Sequence, residues 1–158
     1  MEFKSIDHWD EMIWNQVKSV YFSAFGDKGA KSEKIIKNMF AQNLCILHVL
    51  FDGPRATAMA ITGALKESRS QVIDYLAVDE QYRNHGVGQK LVGYLKEWSL
   101  KEMFYDRIII EVEYDESINN NDLVLFWEKC GFTLTEYVHH YKGNFPQWAV
   151  LSSPLRVS

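Results

Sequence analysis

Proline and cysteine are both scarce in this chain, with three of one and two of the other in 158 residues. The two cysteines, Cys45 and Cys130, form no CxxC pair and have no metal-ligand spacing, so the sequence carries no zinc or thiol-redox signal. Unpaired thiols suit a reducing compartment. No stretch approaches the roughly 20 apolar residues of a membrane helix. The opening Met1–Ser5 carries charge and no apolar run, which reads as no secretory leader and points to the cytoplasm. A surplus of base is also missing. Lys and Arg number 17 against 21 Asp and Glu, a net charge of -4. A sequence-independent nucleic-acid binder needs a concentrated basic surface, so nucleic acid is disfavoured as a partner. Repeats, low-complexity tracts and Pro/Gly/Ser linkers are absent, and the prolines (Pro54, Pro146, Pro154) fall at turns or in the tail.

What is present is an ordinary globular composition, 47% hydrophobic and 24% charged. The length suits one domain spanning 1–158, with a core and one cofactor cleft. Phe3–Ile6 reads as a strand. Asp7 then caps a helix marked by Trp9, Ile13, Val17, Val20 and Ala24 and stopped by Gly26. A second helix spans Ser32–Gln42, with Ile35, Ile36, Met39 and Phe40 on one side. Leu44–Phe51 and Thr57–Leu65 make an antiparallel hairpin across the turn Asp52-Gly53-Pro54-Arg55. Val72–Val78 is a third strand of this run. From Gly88 to about Met103, Leu91, Val92, Leu95, Trp98 and Leu100 follow helical spacing. Arg107–Val112 is a mostly apolar, central strand. A short helix over Leu123–Cys130 ends at Gly131, and strands Phe132–Tyr141 and Trp148–Leu151 close the chain. The two strands flanking the long helix form a parallel crossover. The expected fold is α+β, with a mixed, mostly antiparallel sheet of about seven strands and about four helices.

The chemistry concentrates in Leu76-Ala77-Val78-Asp79-Glu80-Gln81-Tyr82-Arg83-Asn84-His85-Gly86-Val87-Gly88-Gln89-Lys90-Leu91. A buried strand ends, a polar loop follows, and glycines open a helix. Glycines let backbone N–H groups converge on a ligand, and a helix N-terminus adds about half a positive charge. That combination binds phosphate; a bare GxG can equally do no more than start a helix. A Walker loop is excluded because Gln89 follows Gly88, and a Rossmann loop because Leu91 stands where the third glycine belongs.

Arg83-x-x-Gly86-x-Gly88, between a strand ending Ala77-Val78 and an amphipathic helix, resembles the acetyl-CoA signature of the GNAT family of N-acetyltransferases. A second segment, Asn120-x-x-Leu123-x-x-Phe126-Trp127-Glu128-Lys129-Cys130-Gly131-Phe132, is similar to that family's Asn-x-x-Ala-x-x-Phe-Tyr-Glu-Lys-x-Gly-Phe motif. Element order agrees from about Phe3 to Leu151. The resemblance implies a three-layer fold with its parallel strand pair splayed at the cofactor site. It implies that acetyl-CoA is held at its pyrophosphate by backbone from Arg83, Asn84, His85, Gly86, Val87 and Gly88, with Gln89 and Lys90 at the rim. Leu76, Ala77 and Val78 would run beside the pantetheine arm, and Asn120, Trp127 and Lys129 belong to the second motif near the cofactor. The implied activity is acetyl transfer to a primary amine, with a small amine or a peptide N-terminus as acceptor and with pairing of two chains through the C-terminal strands.

Transfer to an amine requires a neutral nucleophile and a donor where the carbonyl oxygen gains charge; it needs no metal. The candidate bases are Asp74, on the strand before the loop, and Glu111 and Glu113, which share a face of the next strand by alternation. For each, the readings of solvated charge and of substrate binding without proton transfer stay open. By resemblance, the Val78 N–H is the oxyanion donor. The family pattern breaks at Trp127, where relatives carry a Tyr proposed as the acid. An indole N–H donates a hydrogen bond but is no acid near neutral pH. Tyr137 and Tyr141 are candidates to replace it; otherwise the CoA thiolate leaves unaided. Trp127 also favours the alternative of an acyl-CoA-binding module without turnover. Trp9 and Trp14 are candidates for lining an acceptor pocket. The acids near the splay tilt the acceptor toward a small cationic amine.

Overall fold

A computed structural model describes residues 1–114, 122–140 and 147–155. The elements run β1 (Glu2–Ile6), α1 (Glu11–Phe25), α2 (Glu33–Ala41), β2 (Ile46–Asp52), β3 (Arg55–Leu65), β4 (Ser70–Val78), a 3-10 turn over Glu80–Tyr82, α3 (Val87–Met103), β5 (Arg107–Tyr114), α4 (Asp122–Lys129), β6 (Thr133–His140) and β7 (Gln147–Pro154). The strands form a seven-stranded mixed sheet ordered β1-β2-β3-β4-β5-β7-β6. The β4–β5 pair is parallel, while β1–β2, β2–β3, β5–β7 and β6–β7 are antiparallel. The contacts divide the chain into two compact units, Met1–Ala64 with Asp74–Leu95, and Leu65–Ile73 with Lys96–Ser158.

In the first unit, one face of the strands carries an apolar cluster with α1 and α2. It includes Ile13, Trp14, Val17 and Tyr21 of α1, Ile36 and Phe40 of α2, and Leu47, Val49, Met59, Ile61 and Ala77 of the strands. Side chains alternate along β2, so His48 between Leu47 and Val49 points to the opposite face. There it is fully buried, with Nδ1 2.7 Å from Ser5 Oγ and Nε2 2.8 Å from Thr62 Oγ1. Ser5 Oγ also lies 2.7 Å from the hydroxyl of Tyr94 on α3, whose ring stacks on Phe3 at 4.3 Å. Burial holds the His48 pKa down at about 3, so the imidazole is neutral.

Two helix readings need correction. α1 is capped by Asp10, not Asp7: Asp10 Oδ1 accepts from the Ile13 N–H at 3.0 Å, while Asp7 is exposed and bonds to His8. Trp9 therefore lies outside the helix and closes back on Trp14, with ring centroids 5.5 Å apart, as a hydrophobic staple fixing the helix entry. α2 starts one residue later than read because Ser32 is its cap, accepting from the Ile35 N–H at 3.3 Å. Ile36 and Phe40 form its buried stripe, whereas Ile35 is exposed. The hairpin is tighter than expected. Asp52 pairs with Arg55, so β3 begins at Arg55 after a two-residue turn in which Gly53 takes φ 58°.

In the second unit, Trp127 of α4 is buried between Phe126 and Phe132, with ring centroids 5.1 Å from each. Gly131 ends α4 with φ 90°. Lys96 closes that end: its Nζ donates to the Cys130 carbonyl and lies 5.1 Å from the centre of the Phe132 ring. Burial lowers the Lys96 pKa, with the neighbouring Cys130 opposing. Arg69 ties the start of β4 to the segment before β5 through Asp106, at 2.9 Å.

Candidate active site

β4 leads into the glycine loop and sets its geometry. The Asp79 N–H donates to the Thr57 carbonyl at 2.8 Å, so Asp79 faces β3. By alternation, the backbone groups of Leu76 and Val78 face the other edge, and those of Ala77 face β3. On that other edge the parallel register with β5 runs from Ser70↔Arg107 to Ile73↔Ile110, while β4 continues to Val78. The backbone edge of Leu76 and Val78 thus lies outside that ladder. The Val78 carbonyl accepts from Arg83 Nε at 3.1 Å, which folds the arginine back along the loop and leaves the Val78 N–H on that edge.

The loop is braced from below. Asp79 caps the 3-10 turn by accepting from the Gln81 N–H at 2.9 Å, and both its carboxylate oxygens lie 3.3 Å from Arg55 Nη2. The Tyr82 hydroxyl donates to Asp52 at 3.0 Å beneath the Arg55 guanidinium. Beyond this brace the backbone alternates in hand: Asn84 has φ 65° and Gly86 φ 76°. Such alternation turns successive N–H groups toward one point. The first helical bond of α3 runs from the Lys90 N–H to the Gly86 carbonyl at 3.1 Å, so the amides just before it have no carbonyl partner within the helix. Arg83, Asn84, His85, Gly86, Gln89 and Lys90 are exposed, whereas Val87 and Gly88 are buried and anchor the helix start. The loop is therefore an exposed, backbone-lined candidate anion site at the N-terminus of a 17-residue helix.

Of the candidate bases, Asp74 stands apart. Its carboxylate accepts no hydrogen bond among the described residues, and Oδ2 lies 3.5 Å from the place of a Cβ on Gly63. The side chain reaches solvent yet is crowded by protein. Lost hydration raises its pKa, with the Lys31 ammonium opposing. Glu113 is exposed, and Glu111 is half-buried and already engaged by the protein. Asp74 and the loop lie in the first unit; Glu111, Glu113, Trp127 and the exposed Lys129 lie in the second. Asn120 and Tyr141 lie outside the described residues, as does the side chain of Tyr137. Trp14 is core, with 1% exposure, and its indole donates to Glu33 at 2.6 Å. Trp9 keeps partial exposure and lies under Lys37.

Sequence reasoning missed the group beside Asp74. The Tyr75 hydroxyl donates to the Gly29 carbonyl at 3.2 Å, and the Tyr21 hydroxyl donates to the Lys31 carbonyl at 3.0 Å. Two tyrosines thereby fasten the α1–α2 loop over β4. Burial and the neighbouring Tyr75 push the Tyr21 pKa up, so Tyr21 stays a neutral donor. Lys31 Nζ lies 3.4 Å from the Tyr75 hydroxyl and 5.1 Å from its ring centre. The one sequence signal was Tyr75 itself, a large aromatic next to an acid in a strand that borders the loop.

The model of the acetyltransferase (GNAT) family matches residues 11–132. The chain belongs to this family. Among solved structures, an aminoglycoside 6'-N-acetyltransferase complexed with coenzyme A superposes with a TM-score of 0.81 at 13% identity, covering 100% of this chain and 99% of that one. The aminoglycoside 6'-N-acetyltransferase from Enterococcus faecium gives 0.79 at 13% identity, covering 100% and 99%. The ribosomal-protein-S18-alanine N-acetyltransferase from Escherichia coli gives 0.71 at 16% identity, covering 99% and 96%. At these identities the likeness is one of fold, and this GNAT chain shares the mixed sheet with four helices. No curated protein matches it in sequence. Among the described residues, no helix is long and apolar enough to cross a membrane, and no group of His, Cys, Asp or Glu is arranged to hold a metal ion.

Proposed function

We propose that this GNAT protein transfers an acetyl group from acetyl-CoA to a primary amine, by direct attack within a ternary complex, as a single cytoplasmic domain. The observation that carries the reading is the alternating-hand loop Arg83–Gly88 opening onto α3, which follows the strand bearing Asp74, a carboxylate that accepts no hydrogen bond among the described residues. When bound, acetyl-CoA supplies an activated thioester carbonyl. The amides of the loop and the first turn of α3 hold its pyrophosphate, with Gln89 and Lys90 at the rim. The unladdered edge of Leu76 and Val78 takes the pantetheine arm as a strand would, and the Val78 N–H donates to the carbonyl oxygen as charge develops there. Asp74 accepts the proton of the acceptor ammonium, directly or through a water, and so delivers a neutral amine. Its raised pKa suits this role, because a carboxylate in ordinary hydration is a weaker base. Glu111 and Glu113 act, on this reading, at most through the field they set.

A binding module without turnover is the second reading, favoured by the buried Trp127 indole at the position where relatives carry a phenol. Thiol release from acetyl-CoA with a panel of primary amines separates the two. Release that depends on an amine and falls in Asp74→Asn supports the enzyme. Acetyl-CoA binding with no release for any amine supports the module.

A further inference from the structure

Lys31 and Asp74 are an unusual pair of charges. Lys31 is half-buried, its backbone is fixed by Tyr21, and its ammonium lies 3.4 Å from the Tyr75 hydroxyl and 5.1 Å from the centre of that ring. Among the described residues no carboxylate lies within 4.0 Å of it, and Asp74 has no hydrogen-bond donor. Yet the Lys31 charge is close enough to act on the Asp74 carboxyl, and both residues belong to the same compact unit as the glycine loop. Lys31 is half-buried and Asp74 exposed, and no ion pair among the described residues joins them, so the Asp74 charge is left to solvent and the Lys31 charge to solvent and the Tyr75 ring and hydroxyl. A ligand that carries the opposite charge at each end would satisfy both. A purely cationic ligand would satisfy Asp74 alone and meet repulsion from Lys31.

We propose that Lys31 is a specificity-determining residue that binds a carboxylate of the acceptor while Asp74 receives its amine, so that the acceptor is a small zwitterion of amino-acid type. This rests on the assignment of Asp74 to the amine made above. The two tyrosine hydroxyls that hold the loop at Gly29 and Lys31 act as positioning groups for the Lys31 charge. The exchange is balanced: the α-ammonium gives one proton to Asp74, the neutral nitrogen forms the bond to the carbonyl carbon, the carbon–sulfur bond breaks, the second proton lost from nitrogen passes through water to the departing thiolate, and Asp74 returns its proton to solvent.

The test compares each of a panel of L-amino acids with the amine that lacks its carboxylate, L-phenylalanine against phenethylamine for example. Thiol release from acetyl-CoA is measured with wild type, Lys31→Met and Lys31→Arg, each verified as folded by its thermal melt. The expected result is at least one amino acid with kcat/KM about tenfold or more above its decarboxylated partner. That preference collapses toward one in Lys31→Met, which keeps an aliphatic stem over Tyr75, and survives in Lys31→Arg, which still binds carboxylate. The proposal is overturned if the decarboxylated amines, spermidine or an aminosugar match the best amino acid. It is equally overturned if no amino acid is acetylated, or if Lys31→Met keeps the wild-type ratio. Calorimetric titration of acetyl-CoA into the same samples separates the two failures. Binding without amino-acid turnover sinks this inference and leaves the cofactor reading intact, whereas absence of binding sinks both.

Discussion

In the proposed mechanism Asp74 is the residue on which the chemistry turns. Its side chain is exposed, yet neighbouring protein strips enough water from the carboxylate to destabilise the charged form, and an arriving ammonium would relieve that. Asp74→Asn keeps the shape and removes the base, so kcat should fall by roughly 10²- to 10⁴-fold, measured as thiol release at saturating amine. The pH profile gives an independent check. A base works when deprotonated, and the Asp74 pKa is raised, so the acid limb of the rate should sit above the range of an ordinary carboxylate. That limb should be missing in Asp74→Asn. Cys45 gives a contrasting prediction. Burial, reinforced by Asp74, pushes its pKa to about 12, so its thiol carries little thiolate at neutral pH. In Cys130→Ser, the folded protein at pH 8 should leave Cys45 unreactive to a disulfide reagent until denaturant is added; rapid labelling of the folded protein would contradict this. Both cysteines read from sequence as inert small hydrophobes, and Cys45 at 3% exposure is one. The Lys31–Tyr75–Asp74 grouping was not legible there. Residues 31 and 74 meet only through tertiary structure, and strict strand alternation would have sent neighbours 74 and 75 to opposite faces.

At the scale of elements, the strand–loop–helix from β4 to α3 was the most legible part of the chain. Its composition changes period within a few residues, and one of its glycines stands where the backbone requires positive φ. Gly86 at 76° is such a position, and open space around it means that backbone strain, not crowding, resists a side chain. The brace beneath the loop was not legible, because Arg55, Asp79, Tyr82 and Asp52 are spread over about thirty residues of sequence. Helix starts were misread by the same logic: several Asp or Ser residues could cap, and the staple between Trp9 and Trp14 chose Asp10. α4 offers a test of a cap supplied from outside the helix. Lys96→Met removes the hydrogen bond to the Cys130 carbonyl and the charge over Phe132, and should lower stability by about 1 kcal/mol, read from urea melts. An unchanged midpoint would show that Lys96 merely fills space.

Across the whole molecule, the order of elements and the mixed sheet followed from hydrophobic period, and family membership then accords with the fold. The polar chain Tyr94–Ser5–His48–Thr62, buried at His48 and Thr62, did not follow, because a histidine in an apolar strand looks like any other core residue. It sets a pH limit on folding. His48 titrates near its ordinary 6.5 when unfolded and at about 3 when folded, so between those values the unfolded chain binds more protons. Its contribution is complete above about 6.5 and is lost as pH falls toward 3. The slope reaches at most about 1.4 kcal/mol per pH unit. Urea melts at pH 7.0 and 4.5 should show a smaller loss in His48→Asn than in wild type, even if the variant is less stable at both; an equal loss would mean that His48 is solvated.

The central claim is that the loop Arg83–Gly88 holds the pyrophosphate of acetyl-CoA. Calorimetric titration of acetyl-CoA into wild type and Gly86→Trp tests it most directly. The account predicts micromolar binding to wild type, on the order of -8 kcal/mol, and loss of that binding in a Gly86→Trp protein that still melts cooperatively. Absence of binding to folded wild type, or undiminished binding to the variant, would contradict it.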